Sequence, residues 1–201
     1  MSSKSGRSIS AKGASVVAIS AALYAVFFGL SFVVPSPSPS FVLLYLPVIL
    51  LGVFPVWFGL PGLTGGIIGA VIGGIFVENL AFAAWIEGVT ALVIYGLNWV
   101  LMPRSAAEGK RKSILILLGV YALTLFLGTG YILWQFTTLG LFTPEGALIV
   151  LLPTFAINYL IEALICPALL RAMSLKLRSS GVYVGNFWEW RERRRVKSEQ
   201  H

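Results

Sequence analysis

Four glutamates lie in or beside long apolar stretches of the chain: Glu78, Glu87, Glu145 and Glu162. At the centre of a bilayer, a charged side chain costs roughly 2.5–3.5 kcal/mol or more. Residues 13–103 and 113–170, which contain all four, include no lysine or arginine. These carboxylates must therefore meet water, one another, polar neighbours or a cationic ligand.

Polar and aromatic residues accompany the carboxylates at helical spacing. Glu87 and Tyr95 are eight residues apart, and Asn158 and Glu162 are four apart, so each pair shares one helix face. A carboxylate among aromatic rings suits a cationic or polar aromatic ligand, through charge and cation–π contact. The predicted substrate-binding residues, which we expect to converge on one outward-opening cavity, are Glu78, Asn79, Trp85, Glu87, Tyr95, Tyr131, Trp134, Gln135, Asn158 and Glu162.

Each of these residues also has a simpler interpretation. Three aromatic residues fit an ordinary interfacial belt as well as a ligand cage: Trp85, Tyr131 and Trp134. Glu78 and Glu87 are compatible with water-exposed helix ends, and Glu145 in a Thr-Pro-Glu-Gly turn with a charge at a helix start. Asn158 fits a hydrogen bond between helices. Glu162 fits either a ligand contact or a protonated contact to a neighbouring helix.

The residues most used in catalysis are scarce. The only histidine is the terminal His201, and aspartate is absent. Histidine-based metal sites, Ser-His hydrolysis and aspartate dyads are therefore excluded, and no P-loop is present. We expect a binding or translocating protein without a cofactor that takes its energy from partners. The alternatives are a membrane enzyme that uses Glu78, Glu87 and Glu162, and a stand-alone carrier or scaffold.

The elements that position these residues are predicted to be membrane helices. Of the 201 residues, 57% are hydrophobic and 11% charged, whereas a soluble domain contains about 25% charged residues. About 20 apolar residues span a bilayer. The apolar runs predict an all-α polytopic protein with six transmembrane helices, over residues 14–34, 41–58, 63–82, 84–102, 113–134 and 147–170. The cavity is expected to be built from spans three to six.

The basic residues set the orientation. All 15 lie in three clusters: before span one, between spans four and five, and after span six. Even numbers of spans separate the clusters, so all three face the cytoplasm under the positive-inside rule. This topology predicts cytoplasmic N and C termini and a plasma-membrane location. It divides the chain into a basic N-terminus (1–13), a membrane domain (14–175) and a basic tail (176–201).

The tail mixes aromatic residues with arginines from Tyr183 to Arg195. We expect it to lie at the membrane surface, with rings at headgroup depth and arginines on anionic lipid, and not to bind nucleic acid. Small residues also recur at four-residue spacing in span one, which favours close helix packing. The glycines of span three, Gly62, Gly66, Gly69 and Gly73, indicate the same.

Three segments resemble the membrane-embedded substrate-binding (S) components of energy-coupling factor (ECF) vitamin transporters. They are the Ala-x-x-x-Ala run Ile19-Ser-Ala-Ala-Leu-Tyr-Ala25, the glycine-rich residues 62–74, and Leu152-Pro-Thr-Phe-Ala-Ile-Asn-Tyr-Leu-Ile-Glu-Ala163. The resemblance covers about residues 14–175 in layout. It implies a six-helix protein that binds a water-soluble vitamin or related micronutrient tightly in its outer half, beneath a loop formed by residues 34–40.

The resemblance also implies partners. The small-residue face of span one, formed by Ala18, Ala21, Ala22 and Ala25, would dock on a coupling transmembrane subunit, and two ATPase subunits would supply the energy. The glutamate, tryptophan and tyrosine residues look most like those of thiamine-specific members. In these, a carboxylate faces a cationic ring between aromatic side chains.

Overall fold

The computed structural model describes residues 11–33, 42–76, 81–108 and 110–199. Within these ranges the chain is all-α, as predicted, with seven helices: α1 (Ala11–Ser31), α2 (Val48–Trp57), α3 (Gly59–Phe76), α4 (Ala81–Leu101), α5 (Arg111–Thr138), α6 (Pro144–Ser179) and α7 (Phe187–Glu199). Helices α1, α4, α5 and α6 are long and apolar enough to cross a membrane, and α2 and α3 are shorter apolar helices. Several long apolar helices in one chain indicate a multi-pass membrane protein.

The described basic residues from the three sequence clusters lie at one end of the helix bundle. The Lys12 ammonium, at the start of α1, donates a hydrogen bond to the Ser180 carbonyl after α6 (2.9 Å). Arg104, which follows α4, lies 3.6 Å from the carboxylate of Glu192 in α7. We call this the basic end. This grouping agrees with the prediction that all three basic clusters lie on one side of the membrane. The number of six transmembrane spans and the cytoplasmic orientation of the basic end remain predictions.

The second apolar run differs from its prediction. A continuous helix was expected over residues 41–58, but residues 42–47 are irregular and α2 begins only at Val48. Pro47 immediately precedes the helix, and proline disfavours helical conformation in the residue before it. At 10 residues, α2 is about 15 Å long, half the thickness of the hydrocarbon core. The run therefore enters the bundle as irregular backbone and ends as a short helix.

Side chains of other helices bind the backbone of residues 42–47. The amide of Tyr45 donates to Asn158 Oδ1 (2.7 Å), and Asn158 Nδ2 donates to the Leu43 carbonyl (3.0 Å). The amide of Leu46 donates to Ser31 Oγ at the end of α1 (2.9 Å). Irregular backbone at membrane depth is tolerated only where protein or water satisfies its polar groups. Asn158 and Ser31 provide that satisfaction here.

Helix α3 packs closely against α1, as its glycines predicted. A Cβ on Gly65 would lie 2.5 Å from the Val17 carbonyl oxygen, and one on Gly69 would lie 2.6 Å from that of Ala21. Real Cβ atoms do not approach backbone oxygen so closely, so these positions require glycine. On another side of α3, Gly62 makes room for the Tyr95 hydroxyl of α4.

Several predicted helix bounds were wrong. The turn between spans two and three is confined to Phe58 and Gly59, where Gly59 has a φ of +53°, and α3 already includes Pro61 in its first turn. Helices α5 and α6 extend beyond the predicted 113–134 and 147–170. Helix α6 begins earlier because Thr143 Oγ1 caps it by accepting from the Gly146 amide (3.1 Å).

The tail packs against the helix bundle. The prediction of a segment at the membrane surface did not include this packing. The Val184 amide donates to the Trp57 carbonyl at the end of α2 (2.6 Å), and Trp99 Nε1 donates to the Gly185 carbonyl (3.3 Å). Asn186 Oδ1 accepts from the Glu189 amide (3.1 Å) and so starts α7 with a side-chain cap. These contacts fix the start of α7 against the basic end.

Candidate functional site: a cavity beside an irregular segment

A cavity of about 50 Å³ lies toward the end of the bundle opposite the basic end. Its walls come from α1, α4, α5, α6 and the irregular residues 42–47. The lining residues are Phe28, Val42, Tyr45, Glu87, Thr90, Ile94, Leu125, Gly128, Thr129, Ile132, Phe136, Thr154 and Asn158. None of them is lysine or arginine. The cavity is thus a mainly apolar space into which one carboxyl and a few neutral polar groups project.

Three side chains form a hydrogen-bonded chain that reaches the cavity. The Tyr45 hydroxyl donates to Glu87 Oε2 (2.8 Å), and the hydroxyls of Tyr45 and Tyr24 are 2.5 Å apart. Glu87 is 4% exposed, and Tyr24 in α1 is buried. A hydrogen bond to a carboxylate is stronger than one between neutral groups. The chain therefore ties α1, the irregular segment and α4 together around the one carboxyl at the cavity.

Asn158 and Thr154 form part of the cavity wall on α6. Asn158 is buried and uses its amide both on the irregular segment and on the Thr154 carbonyl (2.8 Å). Thr154, one turn earlier on the same face, has a buried hydroxyl with no hydrogen-bond partner among the described residues. A buried hydroxyl normally has a partner. Thr154 is thus a polar group available to a molecule in the cavity.

The composition of the wall corrects one prediction. The cavity was expected to be built from spans three to six, but among the described lining residues none comes from α3, and α1 contributes Phe28. The reason is the glycine packing of α3, which occupies one face with α1 and another with Tyr95 of α4. The irregular segment, with Val42 and Tyr45, contributes the rest of the wall.

Of the ten predicted site residues, Glu87 and Asn158 line the cavity. Trp85 and Trp134 are 71% and 61% exposed and point away from it, as aromatic residues of an interfacial belt do. Tyr131 packs on Trp134 with ring centroids 6.1 Å apart, and Gln135 beside it is half-buried. None of these four lines the cavity.

The remaining predicted residues lie elsewhere. The Tyr95 hydroxyl donates to the Gly59 carbonyl at the α2–α3 turn (2.9 Å). Glu162 is fully buried next to Gly52 of α2, one turn beyond Asn158 toward the basic end. Glu78 and Asn79, like the loop of residues 34–40, lie outside the described residues. Glu145, which the prediction left out of the site, is exposed in the first turn of α6.

Around α2, by contrast, polar side chains donate to backbone carbonyls. Pro55 has no N–H, so the Leu51 carbonyl four residues earlier loses its helical partner. Asn98 Nδ2 donates to that carbonyl (3.1 Å), and the Tyr121 hydroxyl donates to the next one, of Gly52 (3.1 Å). These side chains repair a helix that proline interrupts, and none of them faces the cavity.

Sequence reasoning missed Tyr24, Tyr45, Thr129 and Thr154. Tyr45 occurs in a run that reads as an apolar helix, so nothing marked it as part of an irregular segment. The signal was present in Pro47, two residues later, together with the length of the run, which starts directly after a proline-serine stretch. The threonines are small and common in membrane helices, where their hydroxyls usually bond their own helix.

The cavity can hold small polar species in its described state. A volume of about 50 Å³ accommodates a few water molecules, since one needs roughly 10–15 Å³. Pockets for drug-sized ligands measure about 300–1,000 Å³. A larger ligand must therefore displace part of the wall. The irregular residues 42–47 are the part of the wall that is not helical.

Comparison with known proteins identifies no relative. No protein-family model, no curated protein and no solved structure matches the chain. The resemblance seen in three sequence segments therefore has no independent support from these comparisons. What the chain does must be argued from the geometry of the cavity and from the surfaces of the bundle.

Proposed function

We propose that the protein is a membrane-embedded substrate-binding subunit for uptake of a small water-soluble micronutrient, of the ECF type. The observation that carries the proposal is the buried Tyr24–Tyr45–Glu87 chain at an internal cavity bordered by irregular backbone. Broken helices beside a polar site at membrane depth are typical of transport proteins. A carboxyl buried in a membrane helix is also energetically costly, and for that reason such a residue is a candidate for function.

The ligand we propose is a cationic heteroaromatic molecule such as thiamine. Among the described residues that line the cavity, Glu87 is the only one with a carboxyl group, and none is a lysine or an arginine. Phe28, Tyr45 and Phe136 supply aromatic surface on which a flat cationic ring can stack. The Thr154 hydroxyl offers a neutral hydrogen bond that orients a polar substituent, and Asn158 beside it holds the irregular segment in the same wall.

Entry requires the irregular segment to move. Residues 42–47 are held by Asn158, Ser31 and the Tyr45–Glu87 hydrogen bond. A cationic ligand that binds Glu87 competes with the Tyr45 hydroxyl for the carboxylate. Its arrival therefore weakens one of the contacts that keep the segment in place, and the cavity enlarges as the segment shifts.

The energy comes from partners in this proposal. We place the basic end on the cytoplasmic side of the plasma membrane, with the tail near anionic lipid. Two ATPase subunits lie in the cytoplasm next to this end. The proposed docking face for a coupling transmembrane subunit is the exposed side of α1 that carries Ala18 and Ala22. Ala21 is buried against α3 and Ala25 is half-buried, so these two contribute less to that face.

Native mass spectrometry of the detergent-purified protein tests the proposal. We expect wild type to retain a cationic small molecule, or to bind added thiamine. Glu87→Gln should bind it at least about a hundredfold more weakly, because loss of a buried charge pair costs roughly 3 kcal/mol. Glutamine still accepts from the Tyr45 hydroxyl, so the fold is kept. Equal retention by both proteins, or by neither, contradicts the proposal.

The partner face is tested separately. Ala22→Trp should abolish co-purification with an ATPase-bearing complex while leaving ligand binding unchanged, because the bulky ring blocks close helix approach. Ala156→Trp is the matched control, an exposed alanine on α6 away from α1. If both variants assemble normally, the α1 face is not the docking surface.

A further inference from the structure

Glu162 is a buried carboxyl that the cavity does not use. It is fully buried in α6, and both of its oxygens have no hydrogen-bond partner among the described residues. It is not one of the residues that line the cavity, whose wall on α6 ends at Asn158, one helical turn away. A buried carboxylate without a partner is among the most unfavourable groups a protein can contain. Glu162 therefore needs a ligand of its own.

The backbone of α2 lies directly against this carboxyl. A Cβ on Gly52 would be 3.0 Å from Glu162 Oε1 and 2.6 Å from Cys166 Sγ, so only glycine allows the approach. The ionisable groups that face Glu162 are Tyr121 from α5 and Cys166 from its own helix. Helix α2 contributes none, since residues 48–57 contain no ionisable side chain. No cationic side chain is among these neighbours.

We propose that Glu162 is a proton-binding site, separate from the cavity, and that its bound proton keeps α2 packed against α6. As a neutral carboxylic acid it can stay in this apolar contact. When the O–H proton leaves to water, an unpaired negative charge remains between the two helices. The charge can be solvated only if α2 moves away from α6, which admits water.

The position of α2 links this site to the irregular segment. Residues 42–47 lead directly into α2, and Cys166 Sγ is 3.5 Å from the Ile49 carbonyl in the first turn of that helix. Displacement of α2 therefore also displaces Tyr45 and the wall of the cavity. The proton site itself does not depend on the proposed ligand, so the two can fail separately.

Cys166 is a natural reporter of this opening. It is the only cysteine of the chain, fully buried one turn from Glu162. We expect its alkylation by N-ethylmaleimide, measured from about pH 6 to about pH 9, to rise more steeply in wild type than in Glu162→Gln. The variant reports the titration of the thiol alone. At the alkaline limit the wild-type rate should exceed that of the variant by about tenfold or more.

Glu145→Gln, at the exposed start of α6, should behave as wild type in this assay. Parallel pH profiles in wild type and Glu162→Gln overturn the coupling of the proton to the helix contact. A wild-type thiol that stays unreactive at every pH overturns it as well.

A second measurement detects the proton without any opening. The infrared C=O stretch of a neutral carboxylic acid should be present in wild type at neutral pH, weaker in Glu162→Gln and unchanged in Glu145→Gln. Should Glu162→Gln fail to fold, dicyclohexylcarbodiimide is applied to wild type, because the O–H of a protonated carboxyl in apolar surroundings adds across one of its C=N bonds to form a covalent adduct. An adduct on Glu162 supports the site. Identical spectra, or no adduct, show that Glu162 is ionised and contradict it.

Discussion

Near α2, buried polar side chains such as Asn98 and Tyr121 donate to backbone carbonyls, whereas at the cavity Glu87 accepts from the Tyr45 hydroxyl and the Thr154 hydroxyl has no hydrogen-bond partner among the described residues. Both groups are equally well buried. What differs is the partner: near α2 it is the backbone of a neighbouring helix, whereas at the cavity it is a tyrosine hydroxyl for Glu87 and no described group for Thr154. Polar residues inside a membrane protein therefore do not mark a binding site by burial alone, and the distinction lies in what their hydrogen bonds reach.

The same contrast separates two kinds of backbone. The interrupted helix α2 has its free carbonyl occupied by Asn98 and is packed by aromatic residues and the docked tail. The irregular residues 42–47 are held by side-chain hydrogen bonds from neighbouring helices, are joined to the first turn of α2 by backbone hydrogen bonds, and border a cavity. We infer that the first arrangement gives stability and the second gives room for movement.

The largest effect is expected from Asn98→Leu. It removes the donor to the Leu51 carbonyl and the acceptor for the Thr124 hydroxyl (2.9 Å), leaving the carbonyl without its donor and the hydroxyl with only a longer contact to the Tyr121 carbonyl (3.4 Å). The free energy of unfolding in detergent should fall by about 3 kcal/mol. Thr64→Val removes only an exposed hydroxyl bonded to its own helix and should change it by less than about 0.5 kcal/mol. Similar losses in both variants contradict the structural role of Asn98.

Gly65→Ala should destabilise the protein by about 1–3 kcal/mol, since the new methyl group meets the Val17 carbonyl at the α1–α3 contact. Gly119→Ala in α5 is the control, because a Cβ there meets nothing within 4 Å. It should be neutral or stabilising by up to about 1 kcal/mol. Thermal unfolding of both variants checks the pair, and a neutral Gly65→Ala would show that α1 and α3 pack less closely.

A comparison of two tyrosines sharpens the contrast between the cavity and the packed region around α2. Tyr24→Phe removes the hydroxyl that positions Tyr45, so the affinity for thiamine should fall about fivefold. Tyr95→Phe removes a hydrogen bond to the Gly59 carbonyl away from the cavity, and should lower stability by about 1 kcal/mol with unchanged affinity. Titration calorimetry and unfolding of each variant separate the two effects. Loss of affinity in Tyr95→Phe would contradict the division.

The smallest effect concerns the docked tail. Burial raises the pKa of Glu189 above its usual value, and the neighbouring Arg178 partly offsets this. Because the folded-state pKa is raised, the contribution of Glu189 to docking is fully present at low pH and is lost as pH rises through that pKa. Amide exchange in residues 182–190, corrected for intrinsic rates, should therefore be slower in mild acid than at neutral pH.

Glu189→Gln should remove this pH dependence, whereas Glu192→Gln should keep it, because Glu192 is exposed in its ion pair with Arg104. Equal pH dependence in wild type and Glu189→Gln would assign the effect to another group.

The features that follow from local composition were predictable from the sequence. Apolar run length predicted the helices, glycine spacing predicted close packing at α3 without naming α1 as the partner, and the basic clusters predicted their common end. The irregular segment was not predictable in the same way. Tyr45 and its neighbours have the hydropathy of a membrane helix, and only Asn158 and Ser31, distant in sequence, make the non-helical backbone tolerable.

The site was predicted only in part for a related reason. Glu87 and Asn158 stand out because hydrocarbon does not tolerate them unpaired. Helical spacing, however, cannot tell whether a face meets a cavity, a neighbouring backbone or lipid. Tyr95 and Trp134 share predicted faces with site residues, yet one bonds the α2–α3 turn and the other is exposed.

The central proposal is that the Glu87 cavity is reached from the side opposite the basic end when residues 42–47 move, and two threonines of α5 test it most directly. Thr129 lines the cavity, and the Thr124 hydroxyl donates a hydrogen bond to Asn98 in the packed region around α2. Each is replaced by cysteine in a Cys166→Ser background and exposed from outside intact cells to a membrane-impermeant cationic thiosulfonate. We expect Thr129→Cys to react and to be protected by thiamine. We expect Thr124→Cys not to react. Equal reactivity at both positions, or none at Thr129→Cys, would contradict it.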